Sequence, residues 1–134
     1  MDMYQQLHMW DASIRVAEQT HHPEVDHLRQ QYVDWLLESG QEAKAAELRE
    51  REGAYVVAVQ LYLKARMPSR AAAVLRQRNL MSHTELVERT AAALVQSELW
   101  ERAGDLYLVL GQRERALEAY EKGDRKSTRL NSSH

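Results

Sequence analysis

The chain has no cysteine among its 134 residues. Disulfide bonds, thiolate zinc ligands and a cysteine nucleophile are therefore excluded. Only two prolines and five glycines interrupt the chain, while the residue types that dominate it (Ala, Leu, Glu, Gln and Arg) are good helix formers. This balance predicts an all-α fold.

A strong excess of charge of one sign is also missing, since the formal net charge is −2. A domain that binds duplex nucleic acid normally shows a basic face, so we expect no nucleic-acid partner. Apolar residues make up 44% of the chain and charged residues 28%. That proportion is enough to bury a core and is not typical of a disordered sequence.

Long hydrophobic runs are absent as well. The most apolar stretch, residues 55–65, is interrupted by Gln60 and Lys64 and is much shorter than the roughly 20 residues of a membrane span. Residues 1–6 lack the basic start and apolar run of a signal peptide. We expect a soluble protein that is not secreted and makes no membrane contact.

Helical periodicity is the main positive signal, with apolar residues such as Leu28, Tyr32 and Trp35 spaced to share one helix face. Pro23 and Pro68 suit the first turn of a helix. Glycines suit the residue just past a helix end, and the candidates are Gly40, Gly53, Gly111 and Gly123. The pattern predicts eight short helices near residues 2–19, 24–38, 41–52, 54–65, 68–78, 83–97, 99–110 and 112–122.

An internal repeat relates residues 41–65 to residues 99–123 at an offset of 58. Six of the 25 aligned positions are identical, which indicates stacked supersecondary units. The identical pairs are Ala45/Ala103, Leu48/Leu106, Gly53/Gly111, Ala58/Ala116, Tyr62/Tyr120 and Lys64/Lys122.

The recurring residues suggest how each unit packs. Tyr62 and Tyr120 are expected to fill the gap to the next hairpin, and Gly53 and Gly111 to let the chain turn. Small side chains recur where the two helices of a hairpin must approach closely, because a larger side chain would force them apart. These small residues are Ala46, Ala58, Gly104 and Ala116.

The second unit resembles the tetratricopeptide signature, in which an aromatic, a small pair, a second aromatic, a turn glycine and then a small and an aromatic residue follow one another. The residues that carry this resemblance are Trp100, Ala103, Gly104, Tyr107, Gly111, Ala116, Leu117 and Tyr120. It implies a right-handed α-solenoid of antiparallel helical hairpins over residues 1–123, as a fragment of a longer array. The residues with expected structural roles in the repeat are Ala45, Leu48, Gly53, Ala58, Tyr62, Trp100, Ala103, Gly104, Tyr107, Gly111, Ala116 and Tyr120.

A closer resemblance goes beyond the generic repeat. Residues 3–11, 61–65, 83–88 and 101–106 are similar to the helical-repeat solenoid of the largest peripheral subunit of intraflagellar transport complex B. The resemblance implies a non-catalytic interaction scaffold that acts in cilium assembly, with other subunits of the transport complex as partners. It also implies a place in the cilium or flagellum and its basal body, on the cytoplasmic side. No cofactor and no small-molecule substrate are implied.

The last eleven residues, 124–134, break the pattern, because they are polar and serine-rich with Leu130 as their one apolar residue. They resemble a translated cloning or sequencing-adapter remnant. We predict a disordered tail there, and a natural disordered tail is the alternative.

Candidate chemical sites are weak throughout. His21, His22 and His27 form the best metal candidate, but loop histidines exposed to solvent explain them better, since no second ligand group has zinc-like spacing. The carboxylates are scattered among basic residues, as on a solvated helix face. No glycine-rich phosphate loop is present, so we expect neither an enzyme nor a metal site.

Aromatic and basic residues supply the remaining candidates for partner contacts. Trp35 and Trp100 lie on apolar faces and are expected to pack internally, whereas Trp10 is a candidate for contacting a preceding repeat. A cluster of arginines is the nearest approach to a lipid or partner patch. Its members are Arg66, Arg70, Arg76 and Arg78.

Two other functional classes stay open. A generic tetratricopeptide adaptor could dock a peptide, but clamps for acidic peptide ends use inward Lys and Asn, and the comparable positions here include Glu101 and Asp105. Those carboxylates would repel an acidic terminus. The chain could also be a non-catalytic part of a larger enzyme.

Overall fold

The computed structural model describes residues 2–132 of the chain, with side chains described for residues 2–126. Within that range the chain forms helices and no strand, which confirms the all-α prediction. The helices are α1 (Met3–Gln19), α2 (Val25–Glu38), α3 (Glu42–Glu52), α4 (Tyr55–Lys64), α5 (Pro68–Gln77), α6 (Thr84–Gln96), α7 (Trp100–Val109) and α8 (Arg113–Ser132). The predicted boundaries agree to within one or two residues except at the end of α8.

One turn geometry recurs at all seven connections between the described helices. Just past each helix, one residue has a positive φ and donates its N–H to the carbonyl three residues back. The next residue donates its N–H to the carbonyl five residues back, as Met67 does to Tyr62 at 2.8 Å. This is the Schellman arrangement, which satisfies the last carbonyls of a helix and redirects the chain. The positive-φ residues are His21, Gly40, Gly53, Arg66, Asn79, Glu98 and Gly111.

Glycine was a good guide to these turns at Gly40, Gly53 and Gly111, where φ is +73°, +87° and +77°. The prediction that Gly123 ends a helix was wrong, because Gly123 lies inside α8. A Cβ at Gly123 would come within 3.2 Å of the Trp100 Cβ. Gly123 therefore serves the close approach of α8 to the start of α7.

The second correction concerns the region after residue 122. Helix α8 continues to Ser132, so the disordered tail predicted from residue 124 is helical as far as the structure describes it. No proline interrupts this stretch, and Lys126 Nζ lies 3.2 Å from Glu98 Oε2, at the turn before α7. Residues 133–134 lie outside the described residues, and the adapter origin of the tail stays a prediction.

Proline placement follows expectation at one of two sites. Pro68 is the first residue of α5, where its missing N–H has no intrahelical partner to lose. Pro23 lies two residues before α2 begins at Val25, so the prediction that it opens the helix was wrong.

The core follows the order of the chain, because every helix packs against the next one and α4 also packs against α6. Helix α4 is apolar nearly all round and is accordingly covered by α3, α5 and α6. The largest fully buried side chains are Tyr32, Tyr62, Leu36, Leu75, Leu94 and Leu106.

Candidate interaction surfaces

Tyrosine occupies the eighth position of α2, α4 and α8. Each tyrosine donates its hydroxyl to a carboxylate on the preceding helix and so ties the two helices of a hairpin together. At the same position α6 has Ala91, so the α5/α6 pair lacks this bond. The bonds join Tyr32 to Asp11 Oδ1 at 3.0 Å, Tyr62 to Glu50 Oε1 at 2.7 Å and Tyr120 to Asp105 Oδ1 at 2.5 Å.

The same bonds keep these phenols protonated. Burial, with the Asp11 bond, raises the pKa of Tyr32. Burial also raises the pKa of Tyr62, with Glu50 adding to the effect and Arg70 opposing it. The bond to Asp105 raises the pKa of Tyr120 to about 12. Each hydroxyl is thus held as a hydrogen-bond donor and is a poor proton acceptor at neutral pH.

The two repeat tyrosines differ in what surrounds them. Tyr62 is fully buried, and Arg70 of α5 places Nη2 3.3 Å from its hydroxyl and its guanidinium 5.4 Å from the ring centroid. Tyr62 therefore bridges its own hairpin and the next helix. The ring of Tyr120 lies instead over Gly104 of its own hairpin, where a Cβ would come within 2.8 Å of it.

The other residues expected to have structural roles in the repeat are mostly inside. The turn glycines have the positive φ described above, and Tyr107 is buried, while Leu48 and Trp100 are partly buried. The small residues with no exposed surface are Ala45, Ala58, Ala103 and Ala116. This burial fits the roles that the sequence predicts.

An aromatic cluster joins α1 to α2. Trp10 lies 5.4 Å from Tyr32 and 6.3 Å from Trp35 between ring centroids, and Tyr32 stacks on Trp35 at 6.3 Å. Trp35 packs internally, as expected. Trp10, the candidate for contacting a preceding repeat, is partly buried and also belongs to this cluster.

A charged cleft of about 470 Å³ lies between α1, α2 and α3. Arg29 pairs with Glu18 at 3.1 Å, and Lys44 approaches Asp11 at 3.9 Å. Arg15 also lines the cleft and has no ion-pair or hydrogen-bond partner among residues 2–126. Such a surface can bind complementary charges of a protein partner. The lining residues are Asp11, Ile14, Arg15, Glu18, Arg29, Lys44, Leu48, Arg51 and Glu52.

The described residues contain no set of three or more His, Asp or Glu side chains that could hold a metal ion. His22 uses Nδ1 to accept the backbone N–H of Glu24 at 3.1 Å.

None of the described helices has the length and apolarity needed to cross a membrane.

Two of the four clustered arginines are already engaged. Arg70 pairs with Glu50 at 3.5 Å, and the guanidinium of Arg78 lies 4.6 Å from the Tyr55 ring centroid. Arg66 provides the positive φ of a turn. The arginines therefore do not form one uniform basic patch.

The positions compared with a peptide clamp remain acidic. Asp105 accepts the Tyr120 hydroxyl, and Glu101 is exposed. The negative charge at both positions disfavours the carboxylate of a peptide end.

Comparison with known proteins finds close relatives in one group. The chain is 49% identical over 125 residues to intraflagellar transport protein 172 homolog of Danio rerio and 48% identical over 125 residues to that of Homo sapiens. Intraflagellar transport protein 172 of Chlamydomonas reinhardtii is 43% identical over 122 residues. These matches confirm the closer resemblance inferred from the sequence. No protein-family model matches the chain.

The matches cover nearly all of this chain and little of the relatives. The first two span 92% of the chain and 7% of each relative's length. The chain therefore corresponds to a small segment of these long transport proteins.

Proposed function

We propose that this chain is a segment of a non-catalytic protein–protein interaction scaffold that acts in intraflagellar transport during cilium assembly. The observation that carries the proposal is the 48–49% identity to two intraflagellar transport protein 172 homologs over 92% of the chain. Identity that extends from α1 through the later helices goes beyond what a generic helical hairpin would require.

The proposed architecture is a right-handed α-solenoid of tetratricopeptide-like hairpins over residues 1–123. Two features support it. Helices pack mainly against their neighbours in sequence, as expected when each repeat contacts only the next. The same Schellman turn and the same tyrosine–carboxylate bond also recur along the chain.

A scaffold role suits such a segment because stacked hairpins offer an extended surface. Each added repeat extends the surface without requiring a new core, so several partners can bind along one chain. The charged cleft between α1, α2 and α3 is one such surface. The proposed partners are other subunits of the intraflagellar transport complex, at the cilium or flagellum and its basal body.

The alternatives have less support. A generic adaptor for acidic peptide ends is disfavoured by Glu101 and Asp105, whose negative charges occupy the comparable surface. A non-catalytic part of a larger enzyme would fit the fold, but no relative named above is called an enzyme.

The test is live imaging of the fluorescently tagged parent protein in ciliated cells. We expect moving particles along the cilium that coincide with a second labelled transport subunit. A parent that stays out of cilia while its tagged human counterpart enters them in the same cells would contradict the proposal. The fold would be unaffected by that outcome.

A further inference from the structure

A groove runs between α4 and α6 on a part of the surface that the charged cleft does not reach. One cleft of about 540 Å³ there adjoins a second of about 360 Å³, and both are lined by Gln60 and Arg89. We call the larger cleft and its extension the α4/α6 groove. The larger part is lined by Val57, Gln60, Leu61, Leu63, Lys64 and Arg89.

The chemistry of the larger cleft is one-sided. Its lining contains three aliphatic side chains and two cations but no carboxylate, whereas the smaller cleft of the same groove includes Glu85. Among residues 2–126, neither Lys64 nor Arg89 has an ion-pair or hydrogen-bond partner. Val57 keeps 43% of its surface exposed, on the same helix as the exposed Gln60 and Lys64. Two unpaired cations beside an exposed aliphatic side chain favour a ligand that is both acidic and apolar.

The contact between α6 and α8 differs from the α4/α6 groove in how its cations are paired. There Glu88 of α6 pairs with Arg115 of α8 at 3.3 Å. The offset of 58 places Val57 of α4 where α8 has Arg115, and Lys64 where α8 has Lys122. Lys122 is paired with Glu118 at 3.3 Å and lies over the Trp100 ring. The repeat thus pairs its aligned lysine at α8 and leaves it without an ion pair at α4, among the described residues.

We propose that the α4/α6 groove binds an amphipathic helix of a partner protein through acidic and aliphatic side chains on one face of that helix. From Val56 to Lys64 the groove follows α4 for about 12 Å at ~1.5 Å per residue, which matches about two turns of a bound helix. Carboxylates of the partner pair with Lys64 and Arg89, and its aliphatic residues cover Val57. This is the helix-in-groove mode of recognition. The inference rests on the proposed scaffold function, because it names one surface through which the scaffold binds.

An anionic membrane would also attract cations, but the geometry favours a protein segment. The two cations line a cleft between helices that is deep enough to include Leu61, which is almost fully buried. A flat lipid surface would not reach Leu61 at the bottom of this cleft.

The test uses the full chain and a fluorescent helical peptide with Glu and Leu at i, i+4 spacing on one face, titrated by anisotropy. We expect saturable binding that weakens about threefold for Lys64→Gln or Arg89→Gln and about tenfold for the double variant, since exposed ion pairs contribute modestly. Val57→Asp should also abolish most of the binding. The matched controls, Lys122→Gln and Leu117→Asp, change a lysine and an exposed aliphatic residue on α8 and should leave the binding constant unchanged.

Three results would overturn the inference. One is no saturable binding up to about 1 mM peptide, the weakest range of specific affinity. Another is equal binding of a peptide with Lys in place of Glu. The third is a chain that binds phosphatidylserine vesicles, loses that binding in the double variant and does not bind the peptide at all. Helical circular dichroism of every variant shows that the fold is kept. Recovery of transport subunits with the tagged parent is measured separately, so failure of the groove and failure of the scaffold role are distinguishable.

Discussion

The hairpins α3/α4 and α7/α8 share six identical residues at an offset of 58, and they differ in what surrounds their shared tyrosine. Both use the hydroxyl to bind a carboxylate of the preceding helix. Tyr62 is fully buried under Arg70 of α5, whereas Tyr120 is partly exposed. The repeated residues thus specify the hairpin, and the next helix decides how far the tyrosine is covered.

A second difference lies opposite the tyrosine ring. At Gly104 an added Cβ would come within 2.8–3.0 Å of three Tyr120 ring atoms, closer than packed atoms approach. The matching residue in α3 is Ala46, which is fully buried. The α3/α4 hairpin therefore leaves room for a methyl group that the α7/α8 hairpin does not.

The largest expected effect comes from filling the close contact of α7/α8. Gly104→Leu and Ala116→Leu should each lower the free energy of unfolding by about 1–3 kcal/mol through overpacking, with Gly104→Leu at the upper end. The exposed control Arg113→Leu should change it little. Urea denaturation midpoints measure all three. Equal shifts for the three variants would show that the α7/α8 interface is wrongly assigned.

Removing the hydroxyl of Tyr62 or Tyr120 tests whether the more deeply buried tyrosine contributes more to stability. Tyr62→Phe should lower the free energy of unfolding by about 1.5 kcal/mol, because the partly buried Glu50 loses its hydrogen bond. Tyr120→Phe should lower it by about half as much, because Asp105 is exposed to water. Chemical denaturation of the two variants beside the unchanged chain gives the comparison. A larger loss for Tyr120→Phe would reverse the proposed contrast.

The smallest effect is a dependence on alkaline pH. The pKa of Tyr120 is raised from its ordinary value near 10 to about 12, so the folded chain favours the neutral phenol. Its stabilisation is therefore complete below about pH 10 and is lost as the pH rises through about 12. The difference in urea denaturation midpoint between the unchanged chain and Tyr120→Phe should therefore become smaller as the pH rises from about 10 to about 12. A difference in midpoint that grows with pH would mean that the folded chain favours the phenolate of Tyr120.

Sequence predicted the helices well because breakers and apolar periodicity coincide, as at Gly53 and Gly111. It located the turns built without glycine but did not identify His21, Asn79 and Glu98 as their positive-φ residues, because glycine is the residue type that most often marks such a turn. Gly123 was wrongly predicted to end a helix, because its lack of a side chain serves packing against Trp100 and not a turn.

Surface function was harder to predict than fold. The carboxylate partners of the tyrosines lie 12 to 21 residues away in sequence, and no local pattern identifies them. The α4/α6 groove likewise depends on which cations remain unpaired after folding. Lys64 and Lys122 align in the repeat, yet only the structure distinguishes their surroundings.

The central claim, that this segment is an interaction surface within a transport complex, is tested most directly by cross-linking mass spectrometry on complexes purified with the tagged parent. We expect amine-to-carboxylate cross-links from Lys64 to acidic segments of other transport subunits, and fewer from the paired Lys122. Purified complexes in which lysines of this segment cross-link only within their own chain would contradict the claim.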